Sequence, residues 1–91
     1  MPHVVVEKNV PADLRLLVAD RHDLLTVYNR LYSDLEQRYP AFQPRRDPDH
    51  VECFHYPLVL RTTGGRWVRM RFTVDDTRAQ GFLFVLAVVA A

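Results

Sequence analysis

Several large classes of protein are excluded by what this chain lacks. It has one cysteine, Cys53, so no internal disulfide can form, which fits a reducing compartment. Its longest apolar run, Phe82 to Ala91, is ten residues, about half of what a helix needs to cross a bilayer. The start, Met1-Pro2-His3-Val4-Val5-Val6-Glu7, lacks the basic segment and long apolar stretch of a signal peptide. The expected location is therefore the cytoplasm, with no membrane partner. Lysine is nearly absent: Lys8 is the single one, against eleven arginines. Arginine's planar fork suits phosphate, although a GC-rich genome produces the same bias. Acidic residues are missing from His55 to Arg71, where Arg61, Arg66, Arg69 and Arg71 all fall. A net charge of +1 thus conceals a local positive field, because residues 1–44 balance five basic against six acidic side chains.

Ninety-one residues, 48% of them hydrophobic and 25% charged, are consistent with one globular domain spanning 1–91 around a single core. Val4, Val5 and Val6 predict a short first strand. Pro11 suits the first turn of a short helix in which Leu14, Leu17 and Val18 share a face. Asp20 with Asp23 three residues on resembles a capping box, opening a longer helix. There Leu24, Leu25, Tyr28, Leu31, Tyr32, Leu35 and Tyr39 recur every three or four residues as an apolar stripe, and Arg30, Asp34 and Arg38 line another face. Pro40 is expected to end that helix. Residues Ala41 to Asp49, with Pro44, Arg45, Arg46, Asp47 and Pro48, read as a polar loop and the most mobile stretch.

Two strands, Tyr56 to Thr62 and Arg66 to Val74, are predicted on either side of Thr63-Gly64-Gly65, whose glycines supply the positive φ of a tight hairpin turn. In the second, Val68, Met70, Phe72 and Val74 alternate with Trp67, Arg69, Arg71 and Thr73, so one face is core and the other carries cations beside an indole. After a loop from Asp75 to Gly81, Phe82-Leu83-Phe84-Val85-Leu86-Ala87-Val88-Val89 is apolar on both faces, the pattern of a central strand or of one covered by a partner. The expected fold class is α+β, in the order strand-helix-helix-strand-strand-strand, with an antiparallel C-terminal sheet from His55 to Ala91 packed by two helices.

Arg61, Arg66, Arg69 and Arg71 form the strongest chemical candidate. Guanidinium groups on a rigid sheet can bind RNA phosphates and stabilise charge developing on an attacked phosphodiester, and Trp67 can stack on a base. The plainer alternative is the solvated side of an amphipathic strand whose arginine stems cover Trp67. His50, Cys53 and His55, near Asp47 and Asp49, are metal-ligand residue types, but their spacing matches no standard zinc site and no metal or other cofactor is expected. His55 and Tyr56 are candidates for acid–base work. The chain has no Ser/His/Asp arrangement and no phosphate-binding glycine loop.

The stretch Tyr56-Pro57-Leu58-Val59-Leu60-Arg61-Thr62-Thr63-Gly64-Gly65-Arg66-Trp67-Val68-Arg69-Met70-Arg71-Phe72-Thr73-Val74-Asp75-Asp76, with Phe84-Val85-Leu86-Ala87-Val88 and the element order, resembles the RelE/ParE superfamily of bacterial toxins from type II toxin–antitoxin pairs. The resemblance implies a compact toxin fold, an antitoxin protein partner and, in the RelE branch, metal-independent cleavage of mRNA on the ribosome by attack of the RNA's own 2′-hydroxyl. It matches Arg61 and Arg66 or Arg69 to catalytic positions; Arg71, Trp67, Arg45 and Arg46 are expected as RNA contacts. Family members usually follow the last strand with Gly-His-Arg or Gly-Lys-Arg and often a catalytic tyrosine, whereas this sequence ends Val88-Val89-Ala90-Ala91. Losing that arginine is expected to cost roughly 3 to 4 kcal/mol of transition-state stabilisation, leaving a weak or inactive ribonuclease. The competing expectation is a non-catalytic binding or regulatory module that holds a protein partner, or a homodimer through the apolar last strand.

Overall fold

A computed structural model describes residues 1–39 and 46–91. The elements follow the expected order: β1 (His3–Val6), α1 (Asn9–Leu17), α2 (Arg21–Arg38), β2 (Cys53–Arg61), β3 (Trp67–Asp75) and β4 (Phe82–Ala90). The last three strands pair antiparallel, as the alternating pattern and the glycine turn require. β1 then joins beside β4 in parallel, giving the sheet order β1-β4-β3-β2. That pairing places β4 inside the sheet; its inner face packs in the core, while Phe82 and Val89 on its outer face stay exposed.

Both helices lie on one face of the sheet. Val10, Leu14 and Val18 from the first helical region and Val27, Leu31 and Leu35 from α2 pack on Val4, Phe54, Tyr56, Leu58, Phe72, Val74, Leu83 and Val85. The stripe on α2 is rotated from its sequence reading: Val27 is fully buried, while Leu25 and Tyr32 face outward. Two neighbouring leucines cannot both point at the sheet, and Leu24 is the one that packs against the core.

Asp20 caps α2, accepting the Asp23 backbone N–H at 3.1 Å. The reciprocal half of the capping box is absent. The Asp23 carboxylate, only 4% exposed, instead accepts the Thr63 backbone N–H at 3.0 Å and its hydroxyl at 3.2 Å, tying the helix start to the β2–β3 turn. That turn closes with Gly65 N–H donating to Thr62 O at 2.8 Å, and only Gly65 of the glycine pair takes a positive φ, +85°.

β3 and β4 slip register between Thr73 and Val74, which pair with Ala87 and Val85 and leave Leu86 as an extra residue. Asn9, at the start of α1, donates its side-chain amide to the Leu86 carbonyl at 3.0 Å. β2 starts at Cys53, three residues before its expected start, because the preceding segment folds against it. Asp47 N–H donates to Cys53 O at 3.0 Å and Cys53 N–H to His50 O at 2.8 Å. Residues 46–49 of the predicted mobile loop are thus tied to the sheet; 40–45 lie outside the described residues. Further along this edge Pro57 has no N–H to offer, and the Arg30 guanidinium donates to Val59 O at 2.7 Å.

Candidate nucleic-acid interface

Strand alternation sends Arg61, Trp67, Arg69 and Arg71 to the sheet face away from the helices, where all four are exposed. The β2–β3 register fixes their layout: Arg61 lies opposite Trp67, Val59 opposite Arg69 and Pro57 opposite Arg71. On its other side Arg71 meets Val89 of β4. The Arg61 guanidinium sits 5.7 Å from the centre of the Trp67 ring, and that indole is 62% exposed. Among the described residues none of Arg61, Arg69 and Arg71 forms an ion pair. Three cations thus stand on a rigid surface beside an aromatic face. Ala91 N–H donates to Arg69 O at 3.1 Å, so the end of β4 lies against this patch.

Arg66 is separated from the others. Its guanidinium reaches the Leu17 carbonyl at 3.4 Å, on the helix side of the sheet. There it borders a cleft of about 280 Å³ with Val18, Asp20, Asp23 and Thr63. Of the two arginines that the resemblance left open for one role, only Arg69 shares a face with Arg61.

Arg46 is committed elsewhere. It forms a two-pronged ion pair with Asp76, at 2.8 and 2.6 Å, and Tyr39 donates its hydroxyl to the same carboxylate at 2.7 Å. The Asp76 side chain is 3% accessible. The Arg46 hydrogen bonds hold its carboxyl below the ordinary carboxylate range. Arg46 is therefore a structural clamp, not an open RNA contact; Arg45 lies outside the described residues.

Tyr56 and His55 point to opposite faces. The Tyr56 hydroxyl is buried on the helix side and donates to Asp34, and burial first, then that hydrogen bond, pushes its pKa up, so the phenol stays protonated. His55 is on the outer face, 23% accessible, with Nε2 at 3.1 Å from Asp47 Oδ2. The other oxygen of Asp47 accepts the backbone N–H groups of Asp49 at 2.9 Å and His50 at 3.3 Å. Those backbone donors, ahead of His55 itself, lower the Asp47 pKa. The three residues His50, Cys53 and His55 do not converge. His50 is exposed and faces Glu52 at 3.7 Å, and burial pushes the Cys53 thiol up, away from the thiolate a metal would take. Among the described residues no group of three His, Cys, Asp or Glu side chains is placed to hold a metal ion.

The far end of the outer face has a different character. Arg78 lies 4.6 Å over the Phe84 ring, pairs with Glu7 at 2.8 Å and stands 3.9 Å from Asp75. Phe82 and Phe84 stack at 6.0 Å, and His3 meets Phe82 edge-on at 5.4 Å. Nothing in the local sequence marks Arg78 for this role, since Glu7 is 71 residues away.

Among the described residues no helix is long and apolar enough to cross a membrane. Comparison with family models, with curated proteins and with solved structures finds no match for this chain.

Proposed function

We propose that this chain is a RelE-like toxin of a toxin–antitoxin pair, or a descendant of one, acting in the cytoplasm on mRNA or the ribosome through the outer face of β2 and β3. The observation that carries this reading is the set Arg61, Arg69 and Arg71 beside Trp67, exposed and without carboxylate partners among the described residues. Arg30, Arg46, Arg66 and Arg78 each bond a carbonyl or carboxylate, whereas cations left open together on a rigid strand pair suit a ligand that brings its own negative charge. RNA supplies phosphates for the guanidinium groups and bases for the indole. The resemblance itself rests on the hairpin motif and the element order. On this reading catalysis is metal-independent, with Arg61 and Arg69 as charge stabilisers and Arg71 and Trp67 as RNA contacts; Arg66, turned to the helix side, does not join them.

Inducible expression in bacteria, with Arg61→Ala and Arg69→Ala controls, tests the reading. Growth arrest with loss of mRNA in the wild type, relieved in both variants, is the expected result. Unchanged growth, together with no salt-dependent RNA affinity in the purified protein, overturns it.

A second reading rests on the outer face of β4, where Phe82 at its start and Val89 beside Arg71 are exposed. It makes the chain a non-catalytic module that holds a protein partner, whether an antitoxin or a second copy. β3 takes one hydrogen-bonding edge of β4 and β1 takes the other only from Phe82 to Val85, so such a partner can lie on its face or along the edge beyond Val85. Sedimentation discriminates: a concentration-dependent dimer indifferent to RNA favours this reading, and a monomer whose RNA affinity falls steeply with salt opposes it.

A further inference from the structure

The two edges of the sheet are guarded unequally. Along β2, Pro57 has no N–H, the Arg30 guanidinium covers Val59 O, and Arg46 is bridged to Phe54. At the other edge β1 pairs with β4 only from Phe82 to Val85, although β4 runs on to Ala90. Ala91 N–H donates to Arg69 O, so odd-numbered residues in this part of β4 bond β3, and even-numbered ones turn their N–H and C=O the other way. Leu86 agrees, its carbonyl accepting from Asn9 on that side. Val88 and Ala90 come next, and no strand among the described residues pairs with them there.

A helix runs beside this open stretch. α1 starts at Asn9 against Leu86, and its last residue, Leu17, meets Arg66 at the β2–β3 turn, the end of the sheet where β4 finishes. It therefore follows β4 in the direction of Val88 and Ala90. Leu16 lies two helical turns after Asn9 on the same side of α1, about 10 Å further on, which is the length of three strand residues and brings it level with Val89. Leu16 is 85% exposed and Val89 45%. Val88, Val89 and Ala90 include no charge and no proline, so none of the devices that blunt the β2 edge is present here.

We infer that two copies of this chain pair through their β4 edges, antiparallel about a two-fold axis at Val89, joining the two sheets into one. The inference names the second copy as the partner of the second reading above, and it holds whether or not the outer face binds RNA. A second copy is the occupant because an antiparallel edge is complementary to itself under two-fold symmetry. Val88 of one copy exchanges both backbone hydrogen bonds with Ala90 of the other, the symmetry-related pair does the same, and Val89 faces Val89 on the outer side. A register centred on Val88 would need the Leu86 carbonyl, which Asn9 holds. Leu16 of each copy flanks the joint. Arg71 lies opposite Val89, so the two Arg71 residues stand three strand spacings apart, about 14 Å, beyond the screening length of roughly 8 Å at physiological salt. Their like charge does not oppose the pairing, and the dimer carries two arginine patches on one continuous face.

Sedimentation equilibrium of the whole chain, from micromolar to near-millimolar concentration, is expected to show a monomer–dimer equilibrium. Ala90→Pro removes an exposed residue's N–H from the open side and leaves the β3 ladder intact; symmetry makes the loss double, and dimerisation should weaken about tenfold or more. Leu16→Glu, outside the strand, should weaken it as well and serves if the proline variant does not fold, whereas Leu25→Glu on the outward side of α2 should leave it unchanged. The register is read by Val89→Cys, expected to cross-link two copies under mild oxidation, because opposed residues of a non-hydrogen-bonded pair place their Cβ atoms roughly 4.5 to 5.5 Å apart, within a small adjustment of a disulfide. Cys53 is buried and does not compete, and Ser33→Cys on the exposed side of α2 should not cross-link. A dimer that Ala90→Pro and Leu16→Glu leave intact, or in which Val89→Cys fails to cross-link, overturns the edge pairing and leaves a second copy docked elsewhere. A chain that stays monomeric throughout overturns the inference and leaves the second reading with a different protein as its only partner.

Discussion

On the helix side of the sheet and along its β2 edge, several charged groups are tied into the fold. Asp23 holds the hairpin turn, Asp34 accepts from Tyr56, Arg30 covers Val59, and Arg46 and Tyr39 satisfy Asp76. On the hairpin end of the opposite face the same residue type is left open, with Arg69 and Arg71 exposed and Arg61 lying only against an indole. The difference is one of environment. A buried carboxylate without a donor costs several kcal/mol, so the inner and edge charges must be paired for the chain to fold, whereas a solvated guanidinium costs nothing to leave free. Substitutions on the two sides should therefore read out differently, in stability on one and in binding on the other.

The largest effect is expected from the core itself. Phe72→Ala empties a fully buried site under both helices and should lower unfolding free energy by about 3 to 5 kcal/mol, measured by urea denaturation. Its RNA affinity per folded molecule should not change. Arg46→Ala comes next, since it leaves the Asp76 carboxylate without its cation and with the Tyr39 hydroxyl as its remaining side-chain donor. A loss of about 2 to 3 kcal/mol is expected, somewhat below a fully buried pair because the Arg46 side chain is 34% accessible. The pH dependence has a definite sign. Asp76 has a folded pKa depressed below its ordinary value of 3.8, chiefly by the Arg46 hydrogen bonds, so its contribution is present above that value and lost as pH falls through the folded one. Without Arg46 the carboxyl is held down less, by the Tyr39 hydroxyl and a backbone donor, and acid unfolding should begin at a higher pH. An acid transition unmoved in Arg46→Ala would sink the assignment of Arg46 as a structural clamp.

These partnerships show where the sequence is readable and where it is not. Local devices are legible: the alternation through Val68, Met70, Phe72 and Val74, the glycine at the hairpin and the Asp20 cap each act within a few residues. Long-range choices are not. Asp23 looks like half of a capping box, yet Thr63, forty residues on, offers two donors and takes its carboxylate. Arg46 reads as a loop cation because Asp76 is 30 residues away. Arg66 and Arg69 look equivalent along the strand, but the turn sends one to the helix side. The alternation that placed Arg69 and Arg71 on one face was sufficient for the open patch, because that patch is built within a single hairpin.

A smaller stability effect is expected at Tyr56→Phe. The hydroxyl contributes one hydrogen bond to a charged acceptor, and Asp34 keeps Arg38 at 3.8 Å and partial access to solvent. A loss of about 1 to 1.5 kcal/mol follows. The same variant sharpens the chemical assignment, because a phenol on the inner face contributes nothing to cleavage; a loss of activity beyond its loss of folded protein would place the reacting group on the wrong side of the sheet.

The smallest effect on folding and the largest contrast with the inner face are expected for Arg69→Ala and Arg71→Ala. Both side chains are exposed and form no ion pair among the described residues, so each change should alter stability by no more than about 0.5 kcal/mol. RNA affinity should respond instead. A single-stranded ligand contacting Arg61, Arg69 and Arg71 through phosphates gives a slope of log affinity against log salt of about −2, and each removal should reduce its magnitude by about 0.7. Trp67→Ala should weaken binding by roughly 1 to 3 kcal/mol and leave the slope alone, because stacking releases no counterions. If the arginine variants lose stability instead, their guanidinium groups are serving the fold and the two faces are alike. If the slope is unchanged while affinity falls, the ligand is not held through its phosphates at Arg69 and Arg71, and the outer face must be read as a surface for a protein.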